Sequence, residues 1–461
     1  MSTSRGGGRG LIVAGTHSGV GKTTITSAIA AALAARGLVV QPYKAGPDYI
    51  DPGHLGRAAG RDARNLDTWM LPRAAVAELF ARAARGADVT LVEGVMGLFD
   101  GRSGTDDEGS AADIARLLGL PVLLVVDASA VARSIAATVL GFQTFDPRVR
   151  VVGVVLNRVG SEGHAEMCRS AIAQATGLPV LGWVPRTADI EWPERHLGLV
   201  PDAETGGDEV RRGHLARVAE TQLDLDLLLR LAVPVADAAP TGLFPSAPPS
   251  QRVPIAVARD AAFHFTYPDS LDLLEAWGAD LLPFSPLEDA ALPAGARAVL
   301  LGGGFPEVFA RELSSNTAMH ASLHAAAARG VPVYGECGGL MYLGRALIDA
   351  EGVRHGMAGL VPCESTMHGT RLTLGYREAE SLGTPLLPAG ERVRGHEFHF
   401  STLTVPPEAA SAAYRFLDPD RVEGVRAGSV TGTYLHTHLA ARPDLAPNLI
   451  AAARAARAGS A

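Results

Sequence analysis

An apolar strand, a glycine-containing turn and an alanine-rich helix follow one another without a break near the amino terminus, and this succession leaves few folds open. The strand is LIVAG, the turn is THSGVGKTT and the helix is ITSAIAAALAARG. Turns of this kind bind phosphate with successive backbone N–H groups and the amino terminus of the helix. A strand that feeds directly into a helix favours a parallel sheet with helices on its faces.

The same alternation continues along the chain. The runs VVQPYK, DVTLVEG, PVLLVVDAS and VRVVGVVLNRV carry it to about residue 233, and such continuously apolar strands are typical of sheets buried on both faces. After a proline- and alanine-rich stretch, VPIAVARD, RAVLLGGG, VPVYGE and VTGTYLH repeat the pattern. We therefore expect two α/β domains, a doubly wound parallel sheet domain at 10–233 and a second domain at 253–461, joined by a linker over 234–252.

Composition excludes several classes of protein. The 461-residue chain has a net charge of −8 and a pI near 6.0, so it lacks the basic surface that nucleic acids attract. Its apolar runs end well short of the ~18 residues that a membrane span needs, and its polar start lacks the apolar core of a secretory signal. Cys168, Cys337 and Cys363 form no paired motif, so we expect free thiols. These features predict a cytoplasmic protein that binds neither nucleic acid nor membrane; a homodimer is compatible with them.

Lysine is almost absent from the chain. The 41 basic residues include only two lysines, Lys22 and Lys44, and both lie in glycine-containing turns after predicted strands. An ammonium group is more compact than a guanidinium group. We therefore expect Lys22 to stabilise the charge of the transferred phosphoryl group and Lys44 to lie near the γ-phosphate or the substrate carboxylate. The alternative is that the two lysines remain by chance.

The phosphate loop predicts an ATP site. Lys22 is expected to neutralise the β- and γ-phosphates, and the Thr23 hydroxyl to bind Mg²⁺. Asn157 ends a later strand, where it is either a base-reading residue or an ordinary turn residue. The further residues expected to contact ATP are Gly15, Thr16, Gly19, Gly21, Thr24 and Lys44.

The loop departs from the standard phosphate-loop motif. Five residues rather than four separate Gly15 from Gly21, and Thr16 stands where that motif has its first glycine. His17 occupies the place of the second lysine of partition-type ATPases. The wording GT..SGVGKTT instead resembles dethiobiotin synthetase and its relatives, which implies that ATP activates a carboxylate.

Acidic residues follow two of the predicted strands. Asp48 lies in the turn QPYKAGPDYIDPG, Glu93 ends an apolar strand, and Asp100 comes seven residues later. The carboxyl ends of parallel strands meet at the ligand-binding edge of a sheet, where phosphoryl chemistry needs carboxylates for Mg²⁺. We expect these three residues to hold Mg²⁺ or to act on the activated carboxylate. For them, and for Asp51, the alternative is a solvated turn carboxylate.

The second domain contains a candidate nucleophile. Cys337 stands between VPVYGE and GGLMYLG, which has the form of a nucleophile elbow with an exposed thiol. The helix that follows is expected to lower the pKa of the thiol and to donate N–H groups to an oxyanion. GTYLHTHL supplies His436, and LLGGGFPE supplies a second glycine turn, so Gly303 and Gly338 are candidates for the oxyanion hole. The alternative is that Cys337 is a small core residue.

The order GGGFPE, GECGGL and YLH resembles class I glutamine amidotransferases of the cobyric acid synthase type. The resemblance implies that Cys337 attacks the glutamine amide and that His436 is its base. Ordinary class I enzymes follow this histidine with Pro-Glu, whose glutamate orients it, whereas here Thr437 and His438 follow. His438 is either a partner of His436 or a core residue. RGHEFHFS at 394–401 also matches the family wording, and its role stays open.

An ATP site for carboxylate activation and a glutaminase together predict a glutamine-dependent amide ligase. Over nearly the whole chain, through QPYKAGPDYIDPG, NLD and EGVMGLFDG, the sequence resembles the cobyrinic acid a,c-diamide synthases. This implies amidation of the a and c acetate groups of cobyrinate or hydrogenobyrinate in cobalamin biosynthesis, with ATP, Mg²⁺ and glutamine. The alternatives are a cobyric acid synthase, a nickel-tetrapyrrole a,c-diamide synthase and a non-enzymatic partition-type ATPase scaffold.

A polycarboxylate ring would favour arginines near the activation site. HLGRAAGRDARNLD presents Arg57, Arg61 and Arg64 at spacings of four and three, which predicts one face of a helix. We expect these arginines and Tyr49 to contact the corrinoid substrate. A solvated arginine face is the alternative.

Overall fold

The computed structural model describes residues 8–186, 194–195, 198–199 and 209–456. The chain divides into two compact units, Met1–Ala239 and Pro240–Ala461. Residues 235–252 contain neither helix nor strand. The limits drawn from the sequence, 10–233, 234–252 and 253–461, stay a prediction.

The first unit is built on a mostly parallel sheet. Its strands, and a short hairpin, are β1 (Arg9–Gly15), β2 (Val40–Ala45), β3 (Arg64–Leu66), β4 (Val89–Glu93), β5 (Val122–Asp127), β6 (Val151–Val159), β7 (Val180–Pro185), β8 (Glu194–Arg195), β9 (Gly198–Leu199) and β10 (Val233–Pro234). The order is β3-β2-β4-β1-β5-β6-β7, all parallel, with β10 antiparallel to β1. Strands β2 and β4 are buried along their whole length, including the polar Gln41, Lys44, Thr90 and Glu93.

Helices flank this sheet. They are α1 (Lys22–Ala35), α2 (Asp51–Ala59), α3 (Arg73–Ala83), α4 (Ala111–Leu118), α5 (Ile135–Thr144), α6 (Glu162–Thr176), α7 (Glu209–Gln222) and α8 (Leu225–Leu231). Among them α1 is buried over most of its surface, because its alanines let it pack closely against its neighbours. Across the described ranges, no helix combines the length and the apolar character needed to cross a membrane.

The helix predicted to carry three arginines on one face is shorter than expected. α2 ends at Ala59 because Gly60 adopts φ 69°, the left-handed conformation that commonly ends a helix. Arg61 therefore lies beyond the helix, where its guanidinium donates to two backbone carbonyls at 2.8 and 3.3 Å. Arg64 is the first residue of β3, and Arg57 alone stays on α2. The prediction of one arginine face is wrong.

The second unit contains one main sheet and several smaller, mostly antiparallel ones. Its strands are β11 (Val253–Ala258), β12 (Phe263–Phe265), β13 (Ala279–Phe284), β14 (Ala298–Leu301), β15 (Gly303–Gly304), β16 (Val333–Glu336), β17 (Ala346–Ile348), β18 (Arg354–Gly356), β19 (Glu364–Thr366), β20 (Thr373–Ser381), β21 (Arg392–His399), β22 (Thr402–Leu403), β23 (Tyr414–Leu417), β24 (Asp420–Glu423), β25 (Val425–Ala427) and β26 (Val430–Thr433). Its helices are α9 (Pro268–Ala276), α10 (Ala310–Ser315), α11 (Thr317–Ala328), α12 (Gly338–Leu343) and α13 (Leu445–Ala455), with a 3₁₀ turn at Leu439–Ala441.

The main sheet has the order β13-β11-β14-β16-β26-β25, parallel except for the β25–β26 pair. The register aligns Glu336 at the end of β16 with Thr433 at the end of β26. The segments that follow these two strands therefore start at the same edge of the sheet. One of them contains Cys337 and the other contains His436.

Much of 346–424 forms strands, antiparallel except for the parallel pair β17–β19, that the sequence did not predict. β21, β20, β23 and β24 make one sheet, and β18, β17, β19 and β22 make another. The expected α/β class of both domains is confirmed, but the second carries these additions. One of them, β21, contains most of the 394–401 motif.

Candidate active sites

The phosphate loop joins β1 to α1. Gly19 and Gly21 have φ 76° and 94°, a conformation that strains other residues. A Cβ on Gly21 would also lie 2.2 Å from the Asn157 amide nitrogen. That nitrogen donates to the Val20 carbonyl at 2.8 Å, so Asn157 braces the loop from β6.

The other loop residues lie where the sequence indicated. Gly15 ends β1, and Thr16 follows it with its hydroxyl 2.9 Å from the His17 Nδ1. Lys22 is the first residue of α1, and Thr24 lies in the first turn of that helix.

Lys22 is held by backbone oxygens. Its ammonium donates to the carbonyls of Met96 and His17 at 2.5 and 3.2 Å. Burial, reinforced by the nearby charge of Lys44, lowers the pKa of Lys22 to about 8. A phosphate group beside it would counter both effects.

A buried cluster joins the ends of β2 and β4. Lys44 and Glu93 are register partners, and the Lys44 ammonium donates to Glu93 Oε1 at 2.7 Å. The Thr23 hydroxyl donates to the same oxygen at 2.7 Å. Glu93 Oε2 is buried and has no hydrogen-bond partner in the described part of the chain. Burial raises the pKa of Glu93, and the charge of Lys44 opposes that rise.

Asp51 belongs to this cluster, although sequence reasoning left it open. It accepts a hydrogen bond from the Lys44 ammonium at 2.5 Å. Burial opposes the charge of Lys44, but Asp51 and Glu93 outweigh burial and raise the pKa of Lys44. The signal for Asp51 was its place three residues after Asp48 in the same turn.

Asp48 shapes the turn that precedes α2. One of its oxygens accepts from the backbone N–H groups of Ile50 and Asp51 at 2.7 and 3.1 Å. Burial and the charge of Asp51 raise the pKa of Asp48 to about 7. Its neighbour Tyr49 is buried.

Asp100 lies on the loop after β4. Its carboxylate accepts from the Gly97 N–H at 2.8 Å, and its charge acts on Lys22. It is more exposed than Asp48 and Glu93.

Cys337 occupies a strained turn between β16 and α12. Its φ of 50° and ψ of −101° are rare for a non-glycine residue. The thiol is 6% exposed, so the predicted exposure is wrong. The sulfur lies 3.8 Å from the Phe398 carbonyl oxygen, which places β21 against it. Burial, with a smaller effect of Glu307, raises the pKa of the thiol, while the Gly338 N–H opposes this. The expected lowering of that pKa is therefore wrong for this arrangement.

His436 is fully buried beside the 394–401 motif. Its backbone N–H donates to the backbone carbonyl of His396 at 2.8 Å, and the backbone N–H of His396 donates to the carbonyl of His436 at 3.1 Å. The two rings stack with centroids 4.9 Å apart. Burial, followed by the two histidines His396 and His399, keeps the pKa of His436 well below its usual range.

The two glycine turns lie against these residues. A Cβ on Gly303 would be 3.0 Å from the His436 Cε1, and a Cβ on Gly338 would be 3.1 Å from the Gly304 nitrogen. Both positions therefore need glycine for close packing.

Glu336 is a site residue that sequence reasoning missed. Its Oε2 lies 4.0 Å from the His436 Nδ1, and its Oε1 accepts from the Thr437 N–H at 3.1 Å. Burial raises the pKa of Glu336 to about 8. The one available signal was its place at the end of the strand that leads into Cys337.

His438 has a different environment. Its Nδ1 accepts from the Ala440 N–H at 3.0 Å at the start of the 3₁₀ turn. Its ring lies 4.7 Å from that of Tyr267. This agrees with the core interpretation of His438. Cys168, Cys337 and Cys363 are free and buried, as free thiols were predicted.

The motif at 394–401 contains a buried ion cluster. Glu397 accepts from Arg377 and Arg421 at 2.6 Å each, and His399 lies 3.3 Å away. These partners outweigh burial and lower the pKa of Glu397 to about 2. The cluster fixes β21, whose neighbouring residues His396 and Phe398 contact the site.

Comparison with known proteins agrees with the motifs. Residues 11–200 match a family model described as the CobQ/CobB/MinD/ParA nucleotide binding domain, and residues 254–444 match the CobB/CobQ-like glutamine amidotransferase domain. These matches confirm the predicted pairing of a nucleotide-binding domain with a glutamine amidotransferase domain.

Named relatives match over nearly the full length of this chain. A cobyrinate a,c-diamide synthase from Dehalococcoides mccartyi strain CBDB1 is 45% identical, covering 95% of this chain and 97% of its own. The Salmonella typhimurium LT2 protein of the same name is 45% identical, covering 96% and 98%. A hydrogenobyrinate a,c-diamide synthase from Streptomyces coelicolor is 43% identical, covering 95% and 96%. This chain therefore belongs to the cobyrinate a,c-diamide synthase family.

Proposed function

We propose that this protein is an ATP- and glutamine-dependent ligase that amidates the a and c acetate groups of cobyrinate or hydrogenobyrinate. The observation that carries the proposal is the presence, on one chain, of a phosphate loop beside a buried lysine–carboxylate cluster and of a strained cysteine elbow near a buried histidine. The first arrangement suits carboxylate activation and the second suits release of ammonia.

In the glutaminase reaction, Cys337 is the nucleophile. Its sulfur forms a bond to the amide carbon of glutamine, and its proton passes to His436. His436 then protonates the departing nitrogen. The C–N bond breaks, ammonia leaves, and the acyl group stays on Cys337 as a thioester. Water hydrolyses the thioester to glutamate and restores the thiol. The N–H groups of Gly303 and Gly338 are proposed to stabilise the oxyanion.

In the synthetase reaction, a carboxylate oxygen of the substrate attacks the γ-phosphorus of ATP, and ADP leaves. Ammonia attacks the acyl carbon of the acyl phosphate, which expels phosphate and leaves the amide. Lys22 and Lys44 are proposed to stabilise the charge on the transferred phosphoryl group. The loop residues Gly15, Thr16, Gly19, Gly21, Thr24 and Asn157 are proposed to bind ATP.

Magnesium fits the donors at the end of β4. Glu93 Oε2 is a buried carboxylate oxygen with no hydrogen-bond partner in the described ranges, and the Thr23 hydroxyl contacts the other oxygen of the same group. Oxygen donors of this kind suit Mg²⁺. We propose that Thr23 and Glu93 hold the ion, with Asp48 and Asp100 nearby. Bound Mg²⁺ would neutralise charge on the phosphates.

The corrinoid substrate is proposed to contact Tyr49 and Arg57. Arg61 and Arg64 lie outside α2 and are weaker candidates for this contact. Relatives of both names support either ring, cobyrinate or hydrogenobyrinate. KAGPDYIDP favours the a,c enzyme over a cobyric acid synthase. His17 and Cys337 disfavour a partition-type scaffold. We propose a cytoplasmic enzyme, because ATP and glutamine are cytoplasmic substrates, and light scattering would distinguish a monomer from a homodimer.

One experiment tests the two chemistries separately. Purified protein receives ATP, Mg²⁺ and glutamine with either ring, and mass spectrometry follows each mass change from acid to amide. Cys337→Ser should lose glutamine-dependent amidation, because a hydroxyl is a far weaker nucleophile. Ammonium salt at a pH that supplies free ammonia should restore it, still with ATP consumption. Full glutamine-dependent activity of Cys337→Ser would contradict the proposal.

A further inference from the structure

We infer that Glu336 is a positioning residue for His436 in glutamine hydrolysis. It would take the role that a glutamate two residues after the histidine has in ordinary class I enzymes, where this chain has His438. The inference rests on the proposed function, because it assigns a residue to the same glutaminase site.

The backbone brings the two side chains together. Glu336 ends β16 immediately before the nucleophile, and its register partner Thr433 ends β26 three residues before His436. The Cys337 N–H donates to the Thr433 carbonyl at 2.7 Å, which fixes the two strand ends against each other. A glutamate before the cysteine therefore reaches the same place as one that follows the histidine in sequence.

One oxygen of the Glu336 carboxyl group is held by a hydrogen bond, and the other faces His436. Oε1 accepts from the Thr437 N–H at 3.1 Å, and Oε2 lies 4.0 Å from the His436 Nδ1. A small rotation of either side chain would bring the second pair within hydrogen-bond distance. A hydrogen bond to Nδ1 leaves Nε2 as the nitrogen that accepts the thiol proton.

The charge of His436 needs such a partner. When His436 takes the proton of Cys337 it becomes a cation in a buried place. The stacked ring of His396 and the charge of His399 both disfavour that cation. Glu397 is already paired with Arg377 and Arg421. The Glu336 Oε2 lies 4.0 Å from the His436 Nδ1. Burial raises the pKa of Glu336 to about 8, but a cation on His436 favours the ionised carboxylate, so Glu336 supplies the opposing charge when His436 is protonated.

The test is Glu336→Gln. Glutamine keeps the size of the side chain and an oxygen for the Thr437 N–H, but it cannot ionise and so cannot balance a charge on His436. The kcat for glutamine hydrolysis should fall about 10²-fold, as when one preorganised electrostatic contact is removed, with little change in KM. Amidation with ammonium salt should stay at the wild-type rate, since it bypasses the site. Cys337→Ser is measured in parallel.

Glu423→Gln is a matched control. Glu423 is also a buried carboxylate of this unit, but it accepts from the Thr433 hydroxyl and the Tyr434 N–H rather than facing His436. It should keep most of its glutaminase kcat. The inference is overturned if Glu336→Gln keeps a wild-type kcat, if Glu423→Gln loses as much, or if ammonia-dependent amidation falls equally. Failure of the proposed function looks different, because wild type would then show no glutaminase that depends on Cys337.

Discussion

Replacing Lys22 with methionine should stabilise the ATP-free protein while it removes ATP binding. Burial and Lys44 lower the pKa of Lys22 from its ordinary value of 10.5 to about 8. At 1.36 kcal/mol per pH unit, this corresponds to about 3.4 kcal/mol spent on keeping the ammonium charged below pH 8. Loss of its hydrogen bonds to two carbonyls, about 1 kcal/mol each, offsets part of the gain. We expect a net stabilisation of about 1 to 2 kcal/mol at pH 7.

The dependence on pH has a definite sign. Between pH 8 and pH 10.5 the unfolded chain keeps the Lys22 proton while the folded protein has lost it. The unfolded state then binds more protons, so the contribution of Lys22 makes the wild type more stable as pH rises. Lys22→Met lacks this contribution, and the two stabilities should converge above pH 8.

Urea denaturation at pH 7 and at pH 10 measures both free energies of unfolding, and thermal unfolding with MgATP measures binding. MgATP should raise the Tm of the wild type and leave that of Lys22→Met unchanged. Lys22→Arg is the matched control, because it keeps a charge; it should gain no stability and should support no synthesis while glutamine hydrolysis stays detectable. Two results would refute the reasoning. Lys22→Met would be less stable than the wild type at pH 7, or the difference in the free energy of unfolding would be the same at pH 7 and pH 10.

Two further predictions concern the same cluster. Glu93→Gln should lower the synthetase kcat about 10²-fold and raise the Mg²⁺ concentration needed for half-maximal ADP release; an unchanged Mg²⁺ dependence would argue against metal binding at Glu93. Lys44→Arg should have a severely reduced synthetase kcat/KM, because the larger guanidinium must fit a buried site shaped by Asp51 and Glu93. A wild-type kcat/KM in steady-state assays would mean that Lys44 is present by chance and has no specific role.

The sequence was informative where local pattern and long-range arrangement agree. Continuous apolar runs predicted the parallel strands, because a strand buried on both faces has no polar side. The placing of Glu93 at the edge where strands end followed from the rule that parallel strands end at a common edge, whereas its contact with Lys44 was not predicted. The position of Cys337 after β16 followed from glycines that only a tight turn requires.

Other features depend on residues far apart in the chain. Cys337 is buried in the core of the second unit, and Phe398, on an antiparallel strand whose mixed sequence gave no clear period, contacts it. The contact of Glu336 with His436 depends on the register of β16 and β26, which no local pattern fixes. The arginine face failed because Gly60, a single residue, ended α2 before Arg61.

Positive φ angles at non-glycine residues occur at three places in the described chain, Met96, Arg158 and Cys337. Met96 presents the carbonyl that holds Lys22, Arg158 follows the asparagine that braces the phosphate loop, and Cys337 is the proposed nucleophile. Each such angle costs on the order of 1 to 3 kcal/mol. A search for backbone strain alone, without regard to residue chemistry, would therefore have located both proposed reaction centres. It also follows that glycine at Met96, which holds Lys22 with its backbone carbonyl, is a route to a more stable protein.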